Sequence, residues 1–140
     1  MGAWDSDPFG NDMACDWVYD VEKTTGLELI EKTLDNVLAA GDDYLDSFEA
    51  EQGIAAADTI ARLRGHFYVR NAYTEALDKW VAKQKVEVPQ ELVNRAIQVV
   101  DRVMTEPSEP LELWEESGGD DWKDHLDALK ERLNELPIKD

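Results

Sequence analysis

Apolar residues recur at intervals of three and four along almost the whole chain, and no run of four or more residues alternates cleanly between apolar and polar. A helix turns once every 3.6 residues and a strand flips its side chains every two, so this spacing selects helices and disfavours sheet. It predicts an all-α fold, a helical bundle of about six or seven helices. Leu27, Ile30, Leu34 and Leu38 mark one amphipathic helix, closed by Gly41. A longer one runs from about Phe48 to Arg64 with Ser47 as its cap. Its face of Ala50, Gly53, Ile54, Ala57 and Ala61 lets a neighbour approach closely. A fourth covers roughly Asn71–Lys85 with Tyr73, Leu77, Trp80 and Val81 inward. A fifth follows Pro89 and is apolar over two adjacent stripes, Leu92, Ala96, Val99, Val103 and Val93, Ile97, Val100, Met104. This fifth helix and the small-residue face of the third are expected at the centre. A short helix spans 108–116, and a last one carries Trp122, Leu126, Leu129, Leu133 and Leu136 in register. Any strand would have to lie at Phe67–Arg70 or Lys85–Val88.

The opening residues 1–11 read as irregular, because Gly2, Pro8, Gly10 and Asn11 all resist regular structure; Asn11 then caps a helix from Asp12 to about Val21. The start has neither a basic stretch nor an apolar core of the kind a secretory leader needs. A chain of 140 residues is the size of one domain, and 1–140 is read as one. Its 43% hydrophobic content supplies a core and argues against disorder. No stretch approaches the roughly 20 apolar residues of a membrane span. A lone cysteine, Cys15, can close no internal disulfide, which fits a reducing, cytoplasmic setting.

Charge is the most unusual bulk property. With 32 acidic and 14 basic residues the chain carries −18. Residues 1–60 hold 15 acidic against 2 basic groups, whereas residues 61–105 hold 8 basic against 5 acidic. A molecule so negative is repelled by nucleic acid and by anionic membrane surfaces and drawn to basic protein partners. Asp12, Asp16 and Asp20 repeat every four residues on one helix face, with Asp5 and Asp7 just upstream, and Glu112, Glu115 and Glu116 face outward from the 108–116 helix. These eight carboxylates are the candidate partner-binding residues. Asp12, Asp16 and Asp20 have an alternative destination in ion pairs with Arg62, Arg64 or Arg70. A rival reading gathers Asp5, Asp7, Asp12 and Asp16 around a hard cation, with His66 as acid/base of a metal-dependent enzyme. That spacing is not a calcium-loop pattern, and His66 and His125 lack the neighbours of a zinc or nucleophile site. No catalytic residue and no cofactor is therefore assigned, and the favoured reading is a non-enzymatic interaction protein of the immunity or inhibitor type. The oligomeric state is left open.

Several stretches resemble, in the same order, a bacterial family catalogued as domain of unknown function 4259. They are MGAW at the start, PFGND followed by ACDW, YLDSFEAEQGIAAADTIARLRG, the Trp80-Val81 pair, RAIQVVDRVM, SEPLELWEESG and the closing tryptophan- and leucine-spaced helix. Asp5 and Asp7 stand where that family usually has glycines, and Asn71–Leu77 replaces its Leu-Pro stretch. The resemblance implies a shared fold and a bacterial origin. It implies no mechanism.

Overall fold

The computed structural model describes residues 12–67, 74–116, 118 and 120–135. Within them lie α1 (Asp12–Glu22), α2 (Glu28–Leu38), α3 (Ser47–Leu63), α4 (Glu75–Lys83), α5 (Gln90–Val103), α6 (Glu109–Glu116) and α7 (Asp120–Asn134). The architecture is all-α, as the spacing predicts. Asn11, Arg70, Tyr73 and Leu136, like most of Phe67–Arg70, fall outside the described residues. The second strand candidate, Lys85–Val88, is a connector and not a strand. The β-pairing seen among the described residues is one isolated parallel bridge between Leu45 and Ser108. None of the described helices is long and apolar enough to cross a membrane.

Helix α3 occupies the centre and touches each of the other six. From Gly53 to Arg62 every residue is buried, so this helix has no solvent face over that stretch. Helix α5 packs on α3, α2 and α7. It buries Leu92, Val93, Ala96, Val99, Val100 and Val103, while Glu91, Asn94, Gln98 and Asp101 remain exposed. The expectation of a shared centre thus resolves in favour of α3.

The start of α3 differs from the sequence reading for a local reason. The cap of α3 is Asp46, one residue before Ser47. Its carboxylate accepts the Glu49 N–H at 2.9 Å, and a negative group suits the positive end of a helix. Glu109 then takes the Ser47 N–H at 2.8 Å. Helix α2 buries Ile30, Thr33, Leu34 and Val37, leaving Leu27 and Leu38 only partly covered. The polar Thr33 is accommodated because its hydroxyl accepts the Trp17 indole N–H at 2.8 Å and donates to the Leu29 carbonyl at 2.8 Å.

The close approach promised by the small residues of α3 is realised at Gly53. A Cβ there would lie 2.4 Å from Val37 Cγ2 on α2 and 3.1 Å from Val99 Cγ1 on α5. Both valines are fully buried and stiff at χ1, so neither methyl can swing away. Alanine in a helix interior normally gains about 1 kcal/mol over glycine. At this position overpacking of about 1–3 kcal/mol opposes that gain. Gly53→Ala is expected to lower the urea midpoint at unchanged m-value, by a net loss of up to about 2 kcal/mol. A raised midpoint would contradict the packing described.

Candidate functional site

Helix α1 turns Ala14, Trp17, Val18 and Val21 inward and leaves Asp12, Asp16 and Asp20 exposed. Tyr19 stands beside them at 69% exposure. Among the described residues none of these three aspartates has an ion-pair partner. Burial, then Asp12 and Asp16, push the Cys15 thiol up, which keeps it protonated and unreactive. Asp5 and Asp7 lie outside the described residues. Among those described, no three His, Cys, Asp or Glu side chains converge where they could hold a metal ion. His66 follows the end of α3, with its N–H on the Ala61 carbonyl at 2.9 Å and its Nδ1 3.3 Å from Glu135 Oε2.

The second acidic group sits on α6, where Glu112, Glu115 and Glu116 are exposed. This helix is fastened on three sides. Trp114 stacks on Trp122 of α7 at 6.4 Å between ring centroids, with the turn at Gly118 (φ +99°) between the helices. Glu109 binds the Ser47 N–H, and Glu112 accepts the Tyr44 hydroxyl at 2.7 Å. Glu115 stands 3.6 Å from Lys123. Donation to Glu112 raises the Tyr44 phenol to about 12 from its usual 10.0, with burial and then Glu112, Glu109 and Asp46 acting the same way. The connector carrying Tyr44 is itself clasped by Arg102 of α5. Its guanidinium donates to the carbonyls of Gly41 at 2.9 Å, Asp43 at 2.6 Å, Thr105 at 2.9 Å and Pro107 at 3.0 Å.

Arg62 and Arg64 of the basic middle are buried and turn to partners other than α1. Asp58, 1% exposed in the centre of α3, is held between two arginines. Arg62 Nε donates to its Oδ1 at 2.7 Å, while Arg132 of α7 donates to Oδ2 at 2.9 Å and to Oδ1 at 3.1 Å. Arg62 also reaches Asp78 of α4 at 2.7 Å, and Thr74 bonds the same carboxylate at 3.2 Å. Arg132 completes its fork on the His66 carbonyl at 3.0 and 2.6 Å, and the Phe67 ring lies 5.7 Å from the Arg62 guanidinium carbon. Burial works to lower the Arg62 guanidinium, but Asp58 and Asp78 outweigh it and its pKa is raised. Arg64 donates to the Glu135 carbonyl, and burial lowers it. Two of the three arginines that might have answered Asp12, Asp16 and Asp20 are therefore engaged elsewhere, and Arg70 lies outside the described residues. This four-membered network escaped the sequence reading. Its one legible trace is the Asp58–Arg62 spacing of four inside an alanine-rich helix, where a solvent-facing pair would be out of place.

These observations define a small helical protein with an internally neutralised core and a strongly acidic exterior. The family model for domain of unknown function 4259 matches residues 2–125, and the chain belongs to that family. The match takes in α1 to α6 and the start of α7, so all eight candidate partner-binding carboxylates lie within it. No curated protein and no solved structure matches the chain.

Removing Asp58 would leave Arg62 and Arg132 facing each other in a buried space. Asp58→Ala is expected to cost about 3–5 kcal/mol of stability, read as a lowered urea midpoint, because an uncompensated buried charge is the expensive outcome. A loss below about 1 kcal/mol, the range of surface pairs, would show that the network is solvated. Tyr44 should resist ionisation. Its raised pKa means the Tyr44–Glu112 contact is fully present below pH 10 and lost as pH rises through about 12. In a tyrosinate absorbance titration Glu112→Gln should move one of the four tyrosines back toward 10.0. An unchanged curve would disprove the contact.

Proposed function

We propose that this chain is a non-enzymatic interaction protein of the cytoplasm, whose acidic exterior binds a basic protein partner; an immunity- or inhibitor-type protein is its most concrete form. The reading rests on how charge is divided. Asp58 and Asp78 are matched inside by Arg62 and Arg132, so the net −18 is carried outward. Asp12, Asp16 and Asp20 form an exposed column on α1, and Glu112, Glu115 and Glu116 a second group on α6. Asp5 and Asp7 belong to the proposed surface by their place in the sequence. Like charges one turn apart destabilise a helix slightly, and a cationic surface placed against them reverses that cost.

A field of this sign and size speeds encounter with a basic partner and repels nucleic acid. Tyr19 supplies what charge alone lacks. Tyrosine is enriched among the few interface residues that carry most of the binding energy, because it buries a large rigid ring and keeps a polar tip. Its 69% exposure amid Asp16 and Asp20 makes it the natural anchor of the α1 face.

The experiment is co-purification with the tagged full chain from cells that express it naturally. One specific basic protein should be recovered, and its capture should fall steeply between ~0.05 M and ~0.5 M salt. Asp12→Lys/Asp16→Lys/Asp20→Lys should weaken capture by tenfold or more while leaving the urea midpoint nearly unchanged. Recovery of no basic protein, or capture indifferent to this reversal, sinks the reading.

A further inference from the structure

The strongest departure from the acidic exterior is a groove between the turn after α1 and the α4–α5 connector. It encloses about 710 Å³, within the usual range for a ligand cleft, and Lys79, Lys83, Lys85, Trp80, Ala76 and Val86 line it. Its lining holds three ammonium groups against one carboxylate, Glu22. Lys79 is partly answered by Glu75 at 3.2 Å, an exposed pair. Lys83 and Lys85 have no ion-pair partner among the described residues. Two exposed lysines thus lie beside an apolar wall.

The groove is braced in advance. The Trp80 indole N–H donates to the Thr24 carbonyl at 2.8 Å, and the Gly26 N–H donates to Gln84 Oε1 at 2.9 Å. Gln84 in turn donates to the Trp80 carbonyl at 3.1 Å. One rim is backbone of a particular kind. The connector begins at Gln84 (φ −80°, ψ 132°) and ends at Pro89 (φ −64°, ψ 147°), both extended. Val88 precedes a proline and is restricted the same way. Lys85, Val86 and Glu87 between them are exposed, and none forms a backbone hydrogen bond among the described residues. A segment flanked by extended residues, with its own N–H and C=O groups open, can accept another strand.

We propose that this groove binds an extended acidic peptide segment of a partner protein, which lies along Lys85–Glu87 and pairs with its backbone. Carboxylates at one end of such a peptide meet Lys83, in the last turn of α4, and Lys85, and the exposed Glu87 sets the end of the acidic run. An apolar residue on the other face meets Val86 and the exposed edge of the otherwise buried Trp80. This is strand addition with charge setting the preference. A lone phosphate would use neither the indole wall nor the open backbone. A nucleic acid strand would run out of the groove into the acidic surroundings. The proposal concerns a different face and a ligand of opposite sign from the function proposed above, and it stands or falls separately.

The test uses the full chain, isotopically labelled, titrated with an acetylated and amidated hexapeptide alternating glutamate with leucine or valine. Saturable NMR shifts are expected at the Trp80 indole N–H and the amides of Lys85, Val86 and Glu87. Lys83→Glu/Lys85→Glu should weaken binding tenfold or more at an unchanged urea midpoint. Lys32→Glu/Lys123→Glu, which makes the same charge change elsewhere, should leave it within twofold. The proposal is overturned by absent shifts at those groups, by equal affinity in the groove variant, or by equal response to inorganic phosphate or to a peptide with lysines for glutamates. Self-association of the free chain through the same amides also overturns it, by making a second copy the occupant.

Discussion

Asp58 is the constraint around which the rest is arranged. A carboxylate in the middle of a central helix is unfavourable unless cations and hydrogen bonds reach it. Arg62 supplies one from the same helix, one turn along, and Arg132 the other from α7. Arg62 also engages Asp78 of α4, and Arg132 the His66 carbonyl, so three helices and the segment after α3 are positioned by one set of charges. Apolar packing tolerates small sliding of one helix on another. A forked guanidinium on a carboxylate does not, because its donors are fixed in direction.

Around that centre the other half of the molecule is set by closeness and not by charge. Gly53 lets α2 and α5 approach α3 so nearly that a single methyl group would collide with Val37. Polar fastening on one side and tight contact on the other leave α1 and α6 as outer helices whose exposed faces are free to carry carboxylates. The acidic exterior is therefore compatible with the fold because the interior balances its own charges.

Helix existence and type could be read from apolar spacing throughout, since Leu77, Trp80, Leu92, Val99, Trp122, Leu126 and Leu129 are all buried as their periodicity requires. Ends were less legible. Asp46 and Ser47 are both good capping residues, and only the direction of the chain entering α3 decides between them. The turn at Gly118 is held by the Trp114–Trp122 stack, a contact between aromatics eight residues apart that no local pattern announces. The exposed placement of Asp12, Asp16 and Asp20 followed from their spacing, because Trp17 and Val21 claim the opposite face. The buried ion network was not legible. A pairing between Asp58 and Arg132, 74 residues apart, is created by the fold and has no signature along the chain.

The clasp of Arg102 has a further meaning for the α6 face. Its donors meet peptide carbonyls of two separate connectors, so Tyr44 and Glu112 are displayed from backbone whose course is already settled. Whatever lands there meets a template and not a loop awaiting shape. Its grip is then governed chiefly by how slowly the encounter comes apart, since little conformational freedom is left to surrender on arrival.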